Sequence, residues 1–183
     1  MAHIHDNDIA YVLLNKEQIA QRVEELGKEI TRDYQDKQLL MVCILKGSVV
    51  FYADLMRQID LKMDLDFMSA SSYGASTNSS GVVRIKKDLS TDISGRHVLI
   101  VEDILDTGNT LSCLMEVLKD RNPASIEICT LMDKPERRVK NLQAKYVGFT
   151  IPDAFVVGYG LDYDELYRNM PDIGVLKPEV YTK

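Results

Sequence analysis

The strongest constraint on the fold is an uninterrupted apolar run at residues 39–45, LLMVCIL, with no polar residue to face solvent. A strand with one solvated face alternates apolar and polar residues, whereas a continuous apolar run is typical of a strand buried on both faces. A second run of this kind occupies residues 98–101, and a helix-like segment at 48–59 lies between the two. Buried strands that alternate with helices predict an α/β fold with a mainly parallel sheet flanked by helices.

The helices and the other strands are predicted from spacing and apolar pattern. Asn15 and Gln18 have the spacing of a capping box and open a helix whose apolar stripe recurs every three or four residues. The other predicted helices lie at 48–59, with Val49 on the inner face, and from about 110 to 119. The additional predicted strands are residues 65–68, 82–86, 126–132, 146–149 and 155–159.

The chain is predicted to form one domain, residues 1–183, because it contains no repeat, low-complexity stretch or linker. A chain of 183 residues is long enough to bury a core of its own. Residues 69–81 are rich in Ser, Gly, Asn and Thr and are predicted to form a surface loop. Loops of this length are usually functional or disordered.

Charge and cysteine content argue against several classes of protein. The formal net charge of −6 is unlike that of a generic nucleic-acid-binding protein, which usually has a basic balance. Cys43, Cys113 and Cys129 lie in apolar stretches without metal-ligand spacing, which indicates buried thiols in a reducing compartment. No secretory signal is evident, and no apolar run approaches the roughly 20 residues of a membrane helix. We therefore expect a soluble, cytoplasmic protein without a membrane partner.

The most informative segment is VLIVEDILDTGNTL, residues 98–111, which begins as a buried strand and ends as a helix. Its carboxylates, on Glu102, Asp103 and Asp106, can accept hydrogen bonds from vicinal hydroxyls or lie near a hydrated metal. The small residues that follow place backbone N–H groups at a helix N-terminus, where an anion is favoured. An acidic turn with a Thr or Asn cap is the alternative interpretation. Three acids before a glycine-containing loop favour a phosphate site.

Residues 98–111 resemble the signature with which type I phosphoribosyltransferases bind 5-phosphoribosyl-1-diphosphate (PRPP). The resemblance implies that Glu102 and Asp103 lie at the ribose hydroxyls and at a Mg²⁺ ion. It also implies that Asp106 is the general base that accepts or holds the N7 proton of a purine. The implied phosphate-binding residues are Asp106, Thr107, Gly108, Asn109 and Thr110.

Other segments resemble the hypoxanthine and hypoxanthine-guanine phosphoribosyltransferases, in the same order along the chain from about Leu39 to Leu176. Lys46 and Gly47 match the loop that binds pyrophosphate, in which the peptide bond entering the lysine is often cis. Arg168 matches an arginine that contacts pyrophosphate. The mobile loop that closes over the reacting centre is matched by Ser71, Ser72, Tyr73 and Gly74.

The implied base-binding residues lie in the C-terminal part of the chain. Lys134 matches the lysine that donates to the 6-oxo group of the purine, which favours hypoxanthine or guanine over adenine and leaves xanthine open. Phe155 matches the aromatic residue that stacks on the base, and the backbone near Val156 reads the edge of the base. Asp162 is a candidate beside a second metal ion or the base. The resemblance also implies a small base-binding hood formed by the N-terminal residues and residues from about 155 to 183, which include Phe155, Val156 and Asp162.

Taken singly, several of these residues have plainer interpretations. Lys134 could be a solvated turn residue, and Phe155 could belong to the core. A basic cluster near Lys134 is predicted to form a solvated helix face rather than a nucleic-acid contact. Its members are Arg137, Arg138, Lys140 and Lys145. A PRPP-sensing regulator that binds nucleic acid and an enzyme that prefers xanthine stay open as alternatives, and the resemblance implies a homodimer or a homotetramer.

Overall fold

The computed structural model describes residues 7–72 and 83–182. The strands are β1 (Ile9–Leu14), β2 (Leu39–Leu45), β3 (Asp64–Ser72), β4 (Val83–Lys87), β5 (His97–Leu105), β6 (Ser125–Asp133), β7 (Tyr146–Thr150), β8 (Val156–Val157) and β9 (Ile173–Leu176). The helices are α1 (Lys16–Asp33), α2 (Val49–Met56), α3 (Asn109–Lys119) and α4 (Pro178–Tyr181), and Pro135–Arg137 form one turn of 3-10 helix.

Six strands form the central sheet, in the order β4-β3-β2-β5-β6-β7. Every neighbouring pair is parallel except β3 and β4. Different helices cover the two faces of this sheet, because α1 and α2 pack with Met41 and Cys43, while α3 packs with Val42 and Ile44. β2 is therefore buried on both sides, and the predicted α/β fold with a mainly parallel sheet is confirmed.

Helix α1 begins where the capping box predicts. The Gln18 N–H donates to the Asn15 side chain at 2.8 Å, and the Asn15 N–H donates to the Gln18 side chain at 2.9 Å. The predicted apolar stripe packs α1 against the sheet. The buried members of the stripe are Ile19, Val23, Leu26 and Ile30. Neither α1 nor any other helix within the described ranges has the length and apolar character needed to cross a membrane.

The inner face of α2 differs from the prediction. Val49, predicted to lie on the inner face, is 40% exposed, whereas Phe51 is fully buried. The Tyr52 hydroxyl donates to the Met41 carbonyl at 2.9 Å, which orients the helix on β2. Around the helix, Phe51 and Leu55 lie on one side of Tyr52 and Val49 lies on the other, so Val49 turns towards solvent.

The two ends of the chain form a second, antiparallel sheet, in the order β1-β9-β8, which we call the small sheet. Neither β1 nor β9 is predicted from the sequence. The small sheet is attached to α2 by the Tyr159 hydroxyl, which donates to the Asp54 carboxylate at 2.6 Å. It is attached to α1 by the Lys16 N–H, which donates to the Asp172 carboxylate at 2.7 Å. The role of this sheet as a base-binding hood stays a prediction.

Residues 69–72 belong to β3 rather than to the predicted surface loop, so Ser71 and Ser72 lie in a strand. The antiparallel pairing with β4 gives the backbone groups of this segment hydrogen-bonding partners, which its polar composition does not reveal. The rest of the predicted loop, with Tyr73 and Gly74, lies outside the described residues.

Candidate active site

A cleft of about 270 Å³ lies at the carboxyl edge of the central sheet, between the ends of β2 and β5 and the start of α3. Open α/β sheets bind ligands at this edge. The lining includes Glu102 and Asp103, called the acidic pair below, and residues 106–110, called the phosphate loop. Leu45, at the end of β2, completes one wall. The structure therefore brings the predicted ribose, metal and phosphate residues into one cleft.

The acidic pair lies inside β5 rather than beyond its end. Charged residues after Val101 end the predicted strand there, but the ladder with β6 continues, and Ile104 lies opposite Met132. Enclosure by protein and the neighbouring Asp103 carboxylate raise the pKa of Glu102 well above its usual range, and enclosure also raises the pKa of Asp103. Two half-buried carboxylates that repel each other form a favourable site for a hard cation.

The phosphate loop turns from β5 into α3 through Gly108, whose φ of 79° lies in the left-handed region that favours glycine. Gly108 is the N-cap residue and has no side chain to cap the helix, and the Thr107 hydroxyl accepts a long hydrogen bond from the Asn109 N–H at 3.4 Å. Backbone N–H groups in the first turn of a helix have no carbonyl partner within the helix. Together with the positive end of the helix dipole, they suit a phosphate.

Arg138 is half-buried against the phosphate loop and the predicted helix at residues 137–145 is wrong, whereas Arg137, Lys140 and Lys145 are exposed as predicted. The segment forms a single 3-10 turn at its start and is irregular beyond it. The Arg138 guanidinium donates to the Asp106 carbonyl at 2.8 Å and to the preceding carbonyl at 3.0 Å, and it pairs with the Asp133 carboxylate. These contacts hold the backbone of the loop. A charge pattern cannot reveal them, because most of the partners are carbonyl oxygens.

Arg137 faces the predicted general base. Its Nε lies 3.1 Å from Oδ1 of Asp106, an atom that is buried and accepts no hydrogen bond from the described residues, so the contact is electrostatic. Its Nη1 lies 3.5 Å from Oδ1 of Asp153, which in turn lies 3.6 Å from Nζ of Lys134. Alternating charges therefore connect Asp106 with Lys134. No motif in the sequence points to Arg137 or Asp153 as members of the site.

Lys46 and Gly47 follow β2 and reach the acidic pair. The peptide bond between Leu45 and Lys46 is cis, as the resemblance implies. A Cβ on residue 47 would lie 1.7 Å from Oδ2 of Asp103, so no residue larger than glycine fits unless that carboxylate moves. The predicted pyrophosphate loop and the predicted metal-binding carboxylates are therefore in direct contact.

Lys134 is buried just after β6, with 6% of its surface exposed, so it is not a solvated turn residue. Its Nζ donates to the Ala154 carbonyl at 2.6 Å. A lysine ammonium has three donors and is almost never buried without partners. Within the described residues the Ala154 carbonyl is the one hydrogen-bond acceptor found for Nζ, which leaves donors for a ligand.

Phe155 lies beside the small sheet and is 39% exposed, so it is not part of the core. Its ring stacks on Tyr181 of α4, with a centroid distance of 4.7 Å and an interplanar angle of 18°, and meets Tyr163 edge-on at 5.6 Å. The exposed part of the ring is available for stacking on a ligand. Val156 is buried in β8, opposite Val175, and its contact with a base stays a prediction.

Asp162 and Arg168 bind each other at 2.8 Å between β8 and β9. The second carboxylate oxygen of Asp162 accepts a hydrogen bond from the Glu165 N–H at 2.9 Å. The described residues contain no group of three or more His, Cys, Asp or Glu side chains that could hold a metal ion. The structure therefore brings the acidic pair together, but it does not assemble the pair and Asp162 into one metal cluster.

Comparison with known proteins identifies relatives of the same length. A family model described as the phosphoribosyl transferase domain matches residues 12–164. The hypoxanthine-guanine phosphoribosyltransferase of Streptococcus pneumoniae is 54% identical over 177 residues, which cover 97% of this chain and 98% of that protein. The hypoxanthine-guanine phosphoribosyltransferase of Staphylococcus aureus is 55% identical over 176 residues, which cover 96% of this chain and 98% of that protein.

Solved structures extend the similarity to the arrangement of the whole chain. A crystal structure of a hypoxanthine phosphoribosyltransferase from Staphylococcus aureus has a TM-score of 0.97 at 54% identity and covers 100% of both chains. A structure of a hypoxanthine-guanine phosphoribosyltransferase from Bacillus anthracis has a TM-score of 0.89 at 45% identity, over 93% of this chain and 100% of that chain. The similarity therefore includes the small sheet as well as the segment around the acidic pair.

Proposed function

Since the chain belongs to the hypoxanthine-guanine phosphoribosyltransferases of the phosphoribosyl transferase domain family, we propose that it transfers the 5-phosphoribosyl group of PRPP to a 6-oxopurine. Hypoxanthine gives IMP, guanine gives GMP, and pyrophosphate leaves, as in purine salvage. The observation that carries the proposal is the cleft that joins the acidic pair and the phosphate loop. Lys134 adjoins this cleft, because its N–H donates to the carbonyl of Leu105 in the cleft wall at 3.0 Å.

The reaction breaks the bond between the anomeric carbon of the ribose and pyrophosphate, and joins that carbon to a purine nitrogen. Positive charge develops on the sugar in a loose transition state, so catalysis depends on positioning and electrostatics. The acidic pair lines the cleft, where its carboxylates would accept hydrogen bonds from the ribose hydroxyls. The N–H groups of the phosphate loop would hold the 5′-phosphate.

Asp106 is the proposed general base. Its Oδ1 is buried and faces Arg137, but the side chain is 36% exposed in the cleft, so the exposed part of the carboxylate can accept a proton or a hydrogen bond from a ligand. Arg137 holds the carboxylate by charge at 3.1 Å. A carboxylate placed in this way can accept or hold the N7 proton of the purine as the new bond forms.

The acidic pair is the proposed Mg²⁺ site. Carboxylate oxygens are the ligands that this hard cation prefers, and a cation would offset the burial and the repulsion from Asp103 that raise the pKa of Glu102. When bound, Mg²⁺ would neutralise charge on the departing pyrophosphate. Lys46 and Arg168 would bind the same pyrophosphate through their side chains. Asp162 is the candidate ligand of a second ion.

Lys134 and Phe155 are proposed to select the base. The Lys134 ammonium would donate a charge-assisted hydrogen bond to the 6-oxo group, and adenine carries no acceptor at that position. Phe155 would stack on the purine with Tyr181 behind its ring, and the backbone near Val156 would read the edge of the base. Xanthine shares the 6-oxo group, so its rejection depends on contacts near the two-position.

One experiment tests the proposed function: PRPP-dependent nucleotide formation with hypoxanthine, guanine, xanthine and adenine in parallel. We expect turnover with hypoxanthine and guanine. The kcat/KM for adenine should be lower by a factor of about 10⁴, the range for a site built to bind a polar group that the analogue lacks. Equal use of adenine, or turnover of none of the four bases, would contradict the proposal.

We also propose a cytoplasmic location and a homodimer or homotetramer, without a nucleic-acid or membrane partner. Cys43 and Cys129 are buried free thiols, which fits a reducing compartment, whereas Cys113, also predicted to be buried, is only half-buried. Sedimentation at several protein concentrations would distinguish a dimer from a tetramer, and a monomer throughout would contradict the proposed assembly.

A further inference from the structure

The two cations proposed to bind pyrophosphate already share an anion within the protein. Nζ of Lys46 donates to both carboxylate oxygens of Glu165, at 3.1 and 3.0 Å. Nη2 of Arg168 donates to one of the same oxygens at 3.1 Å. Lys46 follows β2 and Arg168 precedes β9, so the carboxylate of Glu165 bridges the central sheet and the segment that leads to the small sheet.

The carboxylate of Glu165 is held by a turn with unusual backbone angles. Asp164 and Glu165 have φ angles of 52° and 64°, in the left-handed region that residues other than glycine seldom adopt. The Glu165 N–H donates to Asp162 at 2.9 Å, which closes the turn. Unfavourable backbone conformations of this kind persist where the surroundings impose them, and they are frequent at ligand sites.

A ligand anion can displace Glu165 easily from its ion pair with Lys46. The neighbouring Lys46 and Arg168 lower the pKa of Glu165, so this side chain is an anion at neutral pH. The side chains of Lys46 and Glu165 are 66% and 64% exposed, so the pair is open to solvent. Exposed ion pairs contribute little to stability, and a multiply charged anion can displace a single carboxylate from them.

We propose that Glu165 is a competing internal anion that sets the affinity of the site for pyrophosphate and for the diphosphate of PRPP. In the ligand-free protein its carboxylate pairs with Lys46 and shares Arg168 with Asp162, which lies 2.8 Å from the same Nη2, so a diphosphate must displace Glu165 to reach both cations. The inference rests on the proposed function, because it takes these two cations to be the diphosphate ligands. A carboxylate that returns to the cations also favours release of the product.

The test is the binding of magnesium pyrophosphate to the full-length protein, measured by calorimetry for the wild type and for Glu165→Gln. We expect the variant to bind about threefold to tenfold more tightly, the change that corresponds to the loss of one or two exposed ion pairs. Glu165→Gly removes the carboxylate and suits the positive φ, so it should tighten binding as well. Glu24→Gln is the matched control, because it removes one negative charge from an exposed pair with Lys28 on α1. Its affinity should equal that of the wild type.

Unchanged or weaker binding in both Glu165 variants would overturn the inference. Lys46→Met and Arg168→Gln separate this failure from a failure of the proposed site. If they weaken pyrophosphate binding while the Glu165 variants do not tighten it, the cations bind diphosphate and the competing role alone is wrong. If they bind pyrophosphate as tightly as the wild type, the diphosphate site lies elsewhere and both proposals fail.

Discussion

The central sheet and the small sheet hold their residues in different ways. In the central sheet, β5 has a parallel partner on each side, and Val98 to Val101 are fully buried. In the small sheet, β1 exposes about half of Tyr11 and of Val12. The ladder with β6 runs through the acidic pair and the ladder with β2 ends at the preceding Val101, whereas a few single contacts hold Phe155 and Arg168. If the proposed roles hold, the groups that act on the ribose lie on the more extensively paired sheet, and Phe155, proposed to stack on the base, lies beside the sheet with fewer supports.

Removal of the divalent cation should have the largest effect, because it acts on the acidic pair of the central sheet. The chain has a formal net charge of −6 and its substrate is a polyanion, so a cation is needed to bring the two together. Nucleotide formation in excess EDTA should fall to background and should return when Mg²⁺ or Mn²⁺ is added. Activity that persists undiminished in EDTA would show that the acidic pair is not a metal site.

Asp106→Asn should have the next largest effect. The substitution keeps the shape of the side chain and removes the proposed base, so kcat should fall by a factor of about 10² to 10⁴. The dissociation constant of PRPP should change much less, because the phosphate contacts come from the N–H groups of the loop. A variant with near-normal kcat would show that the base is another residue.

The central sheet could be predicted from the sequence because its patterns are local. Residues 39–45 form β2 as their continuous apolar run predicts, and α1 begins at Asn15 because a capping box needs only neighbouring residues. The motif at 98–111 was enough to place the acidic pair and the phosphate loop in one cleft. Its exact secondary structure was not predictable, because the ladder with β6 continues through charged residues.

The small sheet could not be predicted, because β1 and β9 come from opposite ends of the chain and no local pattern joins them. The exposed apolar residues of β1 also give no clear alternation. The same limit applies to the site. Arg137, Arg138 and Glu165 appear as ordinary surface charges in the sequence, and their partners become visible only when β5, β6 and the segment before β9 meet.

Lys134→Ala tests the contact between the central sheet and the segment that leads to the small sheet. Lys134 follows β6, and its Nζ donates to the carbonyl of Ala154, next to Phe155. Loss of a hydrogen bond from a charged group costs about 1.5–3 kcal/mol, so kcat/KM for hypoxanthine should fall about tenfold to hundredfold. The dissociation constant of PRPP for the free enzyme should stay nearly the same. If both quantities change together, Lys134 supports the PRPP site, and if neither changes, it does not bind the base.

Tyr159→Phe should have the smallest effect and tests the attachment of the small sheet. The Tyr159 hydroxyl donates to the Asp54 carboxylate at 2.6 Å, and this bond joins the segment after β8 to α2. Loss of one such hydrogen bond to a charged group should lower the free energy of unfolding by about 1.5–3 kcal/mol, measured by urea denaturation. If the same bond positions the base-binding residues, the KM for hypoxanthine should rise about twofold to tenfold while kcat stays unchanged.

Tyr146→Phe is the matched control for this prediction, because it removes a similar bond from the central sheet. The Tyr146 hydroxyl at the start of β7 donates to the Asp33 carboxylate at 2.9 Å, and both tyrosines are buried. The two variants should lose similar stability, since each leaves a carboxylate without one donor. Only Tyr159→Phe should change the KM for hypoxanthine, because Tyr146 contacts the rigid sheet away from the base. If the KM for hypoxanthine rises equally in both variants, base binding depends on the stability of the whole protein. The proposed difference between the central sheet and the small sheet would then be wrong.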